Sequence, residues 1–165
     1  MSTRLLPGMA LSTLFICSGI STDAKSAETV GSSQQKEVSM RWDQRELGSI
    51  VKADDLHISV FREDMVNYGT PTFMWCVAVE GDLYVRAYNG VQSRWYQAAI
   101  KQRAGRINTA GKTIDVKFEP VSGALNDRID DAYRAKYSTS SYLAPMISER
   151  SRAATVRILP AGGAQ

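Results

Sequence analysis

Histidine and cysteine are scarce in this sequence of 165 residues, which has one histidine, His57, and two cysteines, Cys17 and Cys76. A metal site built from several histidines is therefore excluded, and we expect no metal. Two cysteines cannot form a disulfide framework, and Cys76 lies in an apolar run, where a free thiol behaves as a small hydrophobic side chain. No serine or cysteine nucleophile motif accompanies His57, so we interpret this histidine as structural. The sequence identifies no catalytic residue.

An apolar run long enough to span a membrane is also missing from the start of the chain. Arg4 is followed by an apolar stretch at 5–20, which Pro7 and Gly8 interrupt, and then by small and polar residues. This order is typical of a secretory signal, and 16 residues are short for a membrane span.

We therefore predict a signal-like leader at 1–27, a flexible linker at 28–40 and export after removal of the leader, with no membrane contact beyond it. An alternative stays open at Met40, which directly precedes the predicted folded domain. Translation from Met40 would give a cytoplasmic protein without a leader.

Acidic residues are scarce between residues 86 and 117. This stretch has one acid, Asp115, and seven basic residues: Arg86, Arg94, Lys101, Arg103, Arg106, Lys112 and Lys117. The net charge of the chain is only +3, which does not indicate nucleic-acid binding. A local basic stretch suits a small anionic or phosphate-bearing ligand better than a duplex, which needs many contacts along an extended face. A solvated basic surface would explain the same pattern.

Residues 41–160 read as one domain, followed by a tail at 161–165. Alternation and turn residues predict strands at 56–60, 70–80, 83–88, 105–108, 113–121 and 154–159, and helices at 44–52, 94–104, 126–137 and 142–150. Turns at 81–82 and 111 predict two hairpins. Asp43 and Asn126 are the expected caps of the first and third helices, and Arg62 and Arg86 are interpreted as strand residues. Hairpins dominate and no βαβ unit is visible, which argues against a parallel sheet. The patterns predict an α+β fold, a small antiparallel β-barrel of about six strands with peripheral helices.

Three runs of the sequence carry a resemblance to a known family: ADDLHISVFRED, YGTPTFMWCVAVEGDLYVRAYNGVQSRWYQAA and NDRIDDAYRAKY. They resemble the bacterial family called domain of unknown function 2255 (DUF2255), over nearly all of 41–160. The layout of that family is similar to the split β-barrels that bind FMN or a deazaflavin cofactor. The resemblance implies a split barrel, a flavin- or deazaflavin-dependent oxidoreductase, and a homodimer with its ligand site between subunits. One departure stands out, since that class often has two basic residues on the strand that is Thr70–Val79 here, which has none.

The loop from Asn89 to Arg94 is the best candidate for a binding site. Asn89 and Gly90 tolerate positive φ, so the chain can turn sharply into a helix whose first N–H groups attract an anion. Ser93 adds a hydroxyl, and Arg94 can bind phosphate or carboxylate in a bidentate manner. A plain capped turn with an exposed arginine is the alternative. We expect Arg86 or Arg62 to supply a second positive charge.

The resemblance extends the candidate site to the whole strand–turn–strand region. The cofactor-binding candidates are Arg62, Thr70, Pro71, Thr72, Arg86, Tyr88, Asn89, Gly90, Ser93, Arg94 and Trp95. Two hypotheses follow: an oxidoreductase whose cofactor is FMN or a deazaflavin, or a non-catalytic module of the same fold that binds a small anion. In the first, the cofactor performs the hydride chemistry and the protein orients it.

Overall fold

The computed structural model describes residues 41–162. The elements in this part of the chain are α1 (Gln44–Ala53), β1 (His57–Val60), β2 (Thr72–Phe73), β3 (Cys76–Val79), β4 (Asp82–Arg86), α2 (Arg94–Gln102), β5 (Ala104–Thr109), β6 (Lys112–Val121), α3 (Leu125–Tyr137), α4 (Leu143–Met146), α5 (Glu149–Arg152) and β7 (Thr155–Pro160). A 3-10 turn at Gly90–Gln92 precedes α2. The predicted leader at 1–27, the linker at 28–40 and the last three residues of the tail lie outside the described residues.

The seven strands form one antiparallel sheet in the order β2-β1-β5-β6-β7-β4-β3. Its two edge strands, β2 and β3, are separated by only Met74 and Trp75, and the Met74 N–H donates to the Leu56 carbonyl at 2.8 Å. The sheet is therefore curled, because its two opposite edges are formed by one continuous stretch of chain that bends at Met74 and Trp75. The predicted α+β fold with an antiparallel split barrel is confirmed, with six strands if β2 and β3 are taken together. The sequence pattern at 70–80 did not reveal the bend.

Alternation along the strands fills the barrel with apolar side chains. Ile58, Ile107, Phe118 and Ile158 are all at most 1% exposed and belong to one buried cluster. Helix α1 packs against this cluster through Leu47 and Ile50. The barrel is thus a packed core, so a ligand site must lie on its outer side or at its rim.

Helix α1 begins as the sequence predicted. The Asp43 carboxylate accepts hydrogen bonds from the N–H groups of Arg45 and Glu46 at 3.0 and 3.1 Å, which satisfies two donors of the first turn. The Trp42 indole N–H donates to the Ile158 carbonyl at 2.7 Å and fixes the chain that enters the helix.

Helix α3 covers the outer side of β3 and β4. Ile129, Tyr133 and Tyr137 form a second buried cluster with Val77 and Tyr84. The Tyr133 hydroxyl donates to the Trp75 carbonyl at 3.1 Å, so α3 is tied to the bend between β2 and β3.

Three local predictions were wrong. Asn126 was expected to cap α3, but it lies buried inside the helix, where its side chain accepts hydrogen bonds from Arg86 and Thr155. Arg62 was expected on a strand and lies in the exposed loop between β1 and β2. The helix predicted at 142–150 is divided into α4 and α5.

Within residues 41–162, no helix is both long enough and apolar enough to cross a lipid bilayer.

Candidate functional site

A cleft of about 580 Å³ lies where the bend after β2, the chain that follows β4, the start of α2 and helix α4 meet. Its lining residues are Thr72, Phe73, Met74, Trp75, Arg86, Tyr88, Asn89, Ser93, Arg94, Trp95, Tyr142 and Met146. The volume falls within the range of roughly 300–1,000 Å³ that is usual for small-molecule and cofactor sites.

Aromatic side chains form most of the apolar wall. Trp75 stacks on Tyr137, with 4.0 Å between the ring centres and an angle of 5° between the ring planes. This contact holds the Trp75 ring in place. Tyr88 and Tyr142 meet edge to face at 6.3 Å. Phe73 is 49% exposed and Tyr142 is 62% exposed, and both belong to the same cleft, so they form an exposed apolar patch. Such walls can hold a flat ring by stacking.

The polar end of the cleft is the N-terminus of α2. Ser93 is the residue before the helix, but its side chain makes no capping hydrogen bond, and no acidic residue occupies the first turn. Within the described part of the chain, the first N–H groups of α2 therefore have no side-chain acceptor, and the helix dipole adds a partial positive charge. Within residues 41–162, exposed Arg94 has no carboxylate within 4.0 Å. This end of the cleft can bind an anion.

The expectation that Arg86 binds the ligand was wrong, because its guanidinium already donates every N–H to acceptors inside the protein. The side chain is completely buried at the floor of the cleft. Its Nε donates to the Thr155 hydroxyl at 3.0 Å, and its terminal nitrogens donate to Asp130, to Asn126 and to the Met146 carbonyl. No N–H of Arg86 remains for a ligand, so it supports the cleft and is not the second positive group that we expected.

Arg62 is not that second group either. It is exposed, lies outside the cleft lining, and its Nε donates to the Tyr68 carbonyl at 3.2 Å. Thr70 and Pro71 are exposed just before β2 and do not line the cleft.

The other candidates lie together. The cleft is lined by Thr72, Tyr88, Asn89, Ser93, Arg94 and Trp95. Gly90 does not line it and is buried within the 88–93 loop. The adjacent aromatic residues Trp95 and Tyr96 lie in different parts of the structure. Trp95 is half-buried and lines the cleft, whereas Tyr96 is 7% exposed and belongs to the barrel core.

Sequence patterns missed Phe73, Trp75, Tyr142 and the two methionines of the lining. Phe73 and Trp75 alternate along one predicted strand, which places them on one face, and this was the available signal. Tyr142 follows a turn after α3, and nothing in the sequence indicates which surface that turn meets.

The described residues place no activated nucleophile in the cleft, and the hydroxyls of Tyr88 and Tyr142 are the groups of its lining that could transfer a proton. Its lining contains no aspartate, glutamate, histidine, cysteine or lysine. Burial raises the pKa of the Cys76 thiol to about 11, so it stays protonated at neutral pH. Burial also raises the pKa values of Tyr133 and Tyr137 behind the cleft. Residues 41–162 contain no cluster of three or more potential metal ligands.

Several solved structures are similar in fold at low identity. A conserved hypothetical protein from Mycobacterium tuberculosis is 12% identical, with 72% of this chain and 79% of that chain covered and a TM-score of 0.49. A candidate pyridoxamine 5′-phosphate oxidase from Listeria innocua is 10% identical, with 70% and 89% covered and a TM-score of 0.49. An F420-H2 dependent reductase is 13% identical, with 64% and 93% covered and a TM-score of 0.48. Likenesses of this size do not assign a function.

No curated protein matches this sequence. A family model does match residues 46–158, which include every element from β1 to β6 and all of the cleft lining. That model describes uncharacterised proteins conserved in bacteria. The chain therefore belongs to the DUF2255 family.

Proposed function

We propose that the cleft binds a flavin or deazaflavin cofactor and that the protein is an oxidoreductase. The observation that carries the proposal is the pairing of an aromatic wall with an anion-binding helix N-terminus in one cleft. A flat ring system with an anionic side chain matches both ends of this cleft. The resemblance of the sequence to the split barrels that bind FMN or a deazaflavin names the same class of ligand.

The residues present fit such a cofactor. Ser93 and Arg94 would hold its anionic group, because the hydroxyl and the guanidinium have no competing partner among the described residues. Trp75, Trp95 and Tyr88 would contact its ring. When bound, a flavin or deazaflavin supplies hydride transfer. The protein would orient the ring and shield it from water, a role that needs no acid or base in the lining.

The alternative is a non-catalytic module that binds a small anion in the same cleft. Among the described residues, the lining has no aspartate, glutamate, histidine, cysteine or lysine, which fits this alternative as well as it fits cofactor chemistry. The two differ in what the bound ligand does. An oxidoreductase reduces or reoxidises its cofactor when a redox partner is added, whereas a binding module leaves the ligand unchanged.

The test is an absorption spectrum of the purified protein, followed by fluorescence titration with FMN and with a deazaflavin. We expect at least one to bind, and we expect Arg94→Ala to weaken binding by about 1.5–3 kcal/mol, the range for hydrogen bonds to charged groups. Arg45→Ala is the matched control, since Arg45 is exposed on α1 and lies outside the cleft. Equal affinity for wild type and Arg94→Ala, or no binding of either cofactor, contradicts the proposal.

A further inference from the structure

A second arginine stands beside the cleft, on α5. Arg150 is exposed, and its guanidinium carbon lies 5.7 Å from the centre of the Tyr88 ring, which belongs to the cleft wall. Across the described part of the chain, no carboxylate lies within 4.0 Å of the Arg150 guanidinium. The neighbouring acid, Glu149, lines a separate cavity together with Arg152. Arg150 is therefore a cation without an ion-pair partner next to the proposed site.

The position of Arg150 is fixed by the loop that leads to Ser93. Gly90 is buried with φ +68°, and a Cβ there would lie 2.6 Å from Cγ of Arg150 and 2.9 Å from its carbonyl oxygen. The Ser151 hydroxyl is buried and donates to the carbonyls of Pro145 and Tyr88, at 2.8 and 3.4 Å. Helix α5 thus packs directly on the 88–93 loop, and the stem of Arg150 has a defined place against it.

Two unpaired arginines consequently flank one loop. Arg94 follows it in the chain, and Arg150 packs against Gly90 within it. The N-terminus of α2, where Arg94 lies, adds further positive potential to this loop, and the described residues of the cleft lining include no carboxylate to offset it. A bound anion would offset the electrostatic repulsion between the positive charges of Arg94 and Arg150.

The number of positive groups indicates how much charge the anion carries. A single carboxylate offers one negative charge, whereas a phosphate monoester offers about −1.5 to −2 at pH 7 and three acceptor oxygens. Arginine guanidinium groups match phosphate oxygens in planar, bidentate geometry.

We propose that Arg150 and Arg94 together bind the phosphate group of the cleft's ligand, which is accordingly a phosphate monoester joined to an aromatic ring. The inference rests on the proposed function and adds to it the second cation and the charge of the ligand's anionic end. Arg150 takes the place that Arg86 and Arg62 do not fill.

The experiment compares FMN with riboflavin, which shares the ring system and lacks the phosphate. Affinities of both, and of inorganic phosphate, are measured by calorimetry for wild type, Arg94→Ala, Arg150→Ala, Arg150→Lys and the control Arg45→Ala. We expect Arg150→Ala to weaken FMN about tenfold to a hundredfold and to leave riboflavin unchanged. Arg150→Lys should recover part of the loss, since lysine keeps the charge but not the fork. Circular dichroism of each variant checks the fold.

The outcomes separate this inference from the proposed function. If FMN binds but Arg150→Ala weakens FMN and riboflavin equally, or weakens neither, the two-arginine site is overturned and the flavin cleft stands. If neither flavin binds but inorganic phosphate binds in a manner that requires Arg94 and Arg150, the flavin cleft falls and the two-arginine site stands. If no probe binds, or if phosphate binding is indifferent to Arg150, the two-arginine site is overturned.

Discussion

Arg86 shows at the level of single residues how the fold holds its site. A fully buried guanidinium is tolerated because every N–H has an acceptor and because the Asp130 carboxylate neutralises it. Asp130 in turn accepts from Arg152 through its other oxygen at 2.6 Å. This network joins β4, α3, α5 and β7 directly beneath the cleft.

We expect Arg86→Met to lower the free energy of unfolding by about 3 kcal/mol, the lower end of the range for breaking a buried ion pair, because Oδ1 of buried Asp130 loses its donor while Oδ2 keeps Arg152. Urea denaturation of the purified protein measures the change. Arg128→Ala is the control, since Arg128 and Glu80 form an exposed ion pair that contributes at most about 1 kcal/mol. Equal losses in the two variants would show that the buried network does not stabilise the fold.

Arg86 also marks the limit of what the sequence could predict at this scale. An arginine that alternates along a strand is equally consistent with a cleft, a solvent face or a buried network. The deciding acceptors, Asn126 and Asp130, lie 40 and 44 residues further along the chain. By contrast, the six sequence candidates that line the cleft belong to only three short segments of the chain. They are Thr72, Tyr88, Asn89, Ser93, Arg94 and Trp95.

Among the elements, β1 and β5 pair closely at Gly105. A Cβ at this buried position would lie 2.5 Å from the Ser59 carbonyl oxygen and 2.9 Å from the Val60 Cα, and both are backbone atoms that cannot turn away. Only glycine therefore permits this strand pairing. By comparison, a Cβ added at Gly48, which is exposed on α1, would have no described heavy atom within 4 Å.

The two glycines should respond oppositely to alanine. Gly105→Ala should destabilise the protein by about 3 kcal/mol, the upper end for overpacking, because the strands must separate. Gly48→Ala should stabilise it by about 0.5–1 kcal/mol, since alanine loses less backbone entropy in a helix. Thermal unfolding of both variants beside wild type gives the signs. A stable Gly105→Ala protein would contradict the described register of β1 and β5.

Element by element, local signals predicted well and long-range ones did not. The Asp43 cap, both hairpins and the spans of α1 and α3 follow from patterns within about ten residues. The bend at Met74–Trp75 does not, because it is set by pairing with β1 on one side and with β4 on the other. The division of the last helical segment is local but was also missed: Ile147 ends α4, and Ser148 has an extended backbone and donates its hydroxyl to the Pro145 carbonyl at 2.6 Å.

For the whole molecule, the exposed aromatic groups beside the cleft bear on assembly. Phe73, Tyr88, Val91 and Tyr142 are each more than 40% exposed, and three of them line the cleft. We propose a homodimer that covers this apolar rim, which would bury at least about 1,000 Å² in total.

Sedimentation velocity should accordingly show a dimer at micromolar concentration, and Phe73→Glu should shift it toward monomer, because a buried charge without a partner is costly. Val66→Glu, at an exposed site outside the cleft, should leave the mass unchanged. A strictly monomeric wild type at high micromolar concentration counts against the homodimer.

Export is likewise a proposal at the level of the whole chain, based on the order of charge, apolar and small residues in 1–27. Mass spectrometry of the protein from its native host should find a product that lacks roughly the first 26 residues, in the fraction outside the cytoplasm. An intact N-terminus, or a product beginning at Met40 in the cytoplasmic fraction, would contradict export.

The central claim is that the cleft between the β2–β3 bend and the start of α2 holds a flavin-type cofactor. A crystal structure of the protein grown with saturating FMN tests it most directly, since it locates the ligand and its orientation together. We predict the ring among Trp75, Tyr88 and Trp95, and the phosphate within hydrogen-bond distance of Ser93 and Arg94. FMN bound elsewhere, or a cleft without ligand at saturating FMN, would contradict the account.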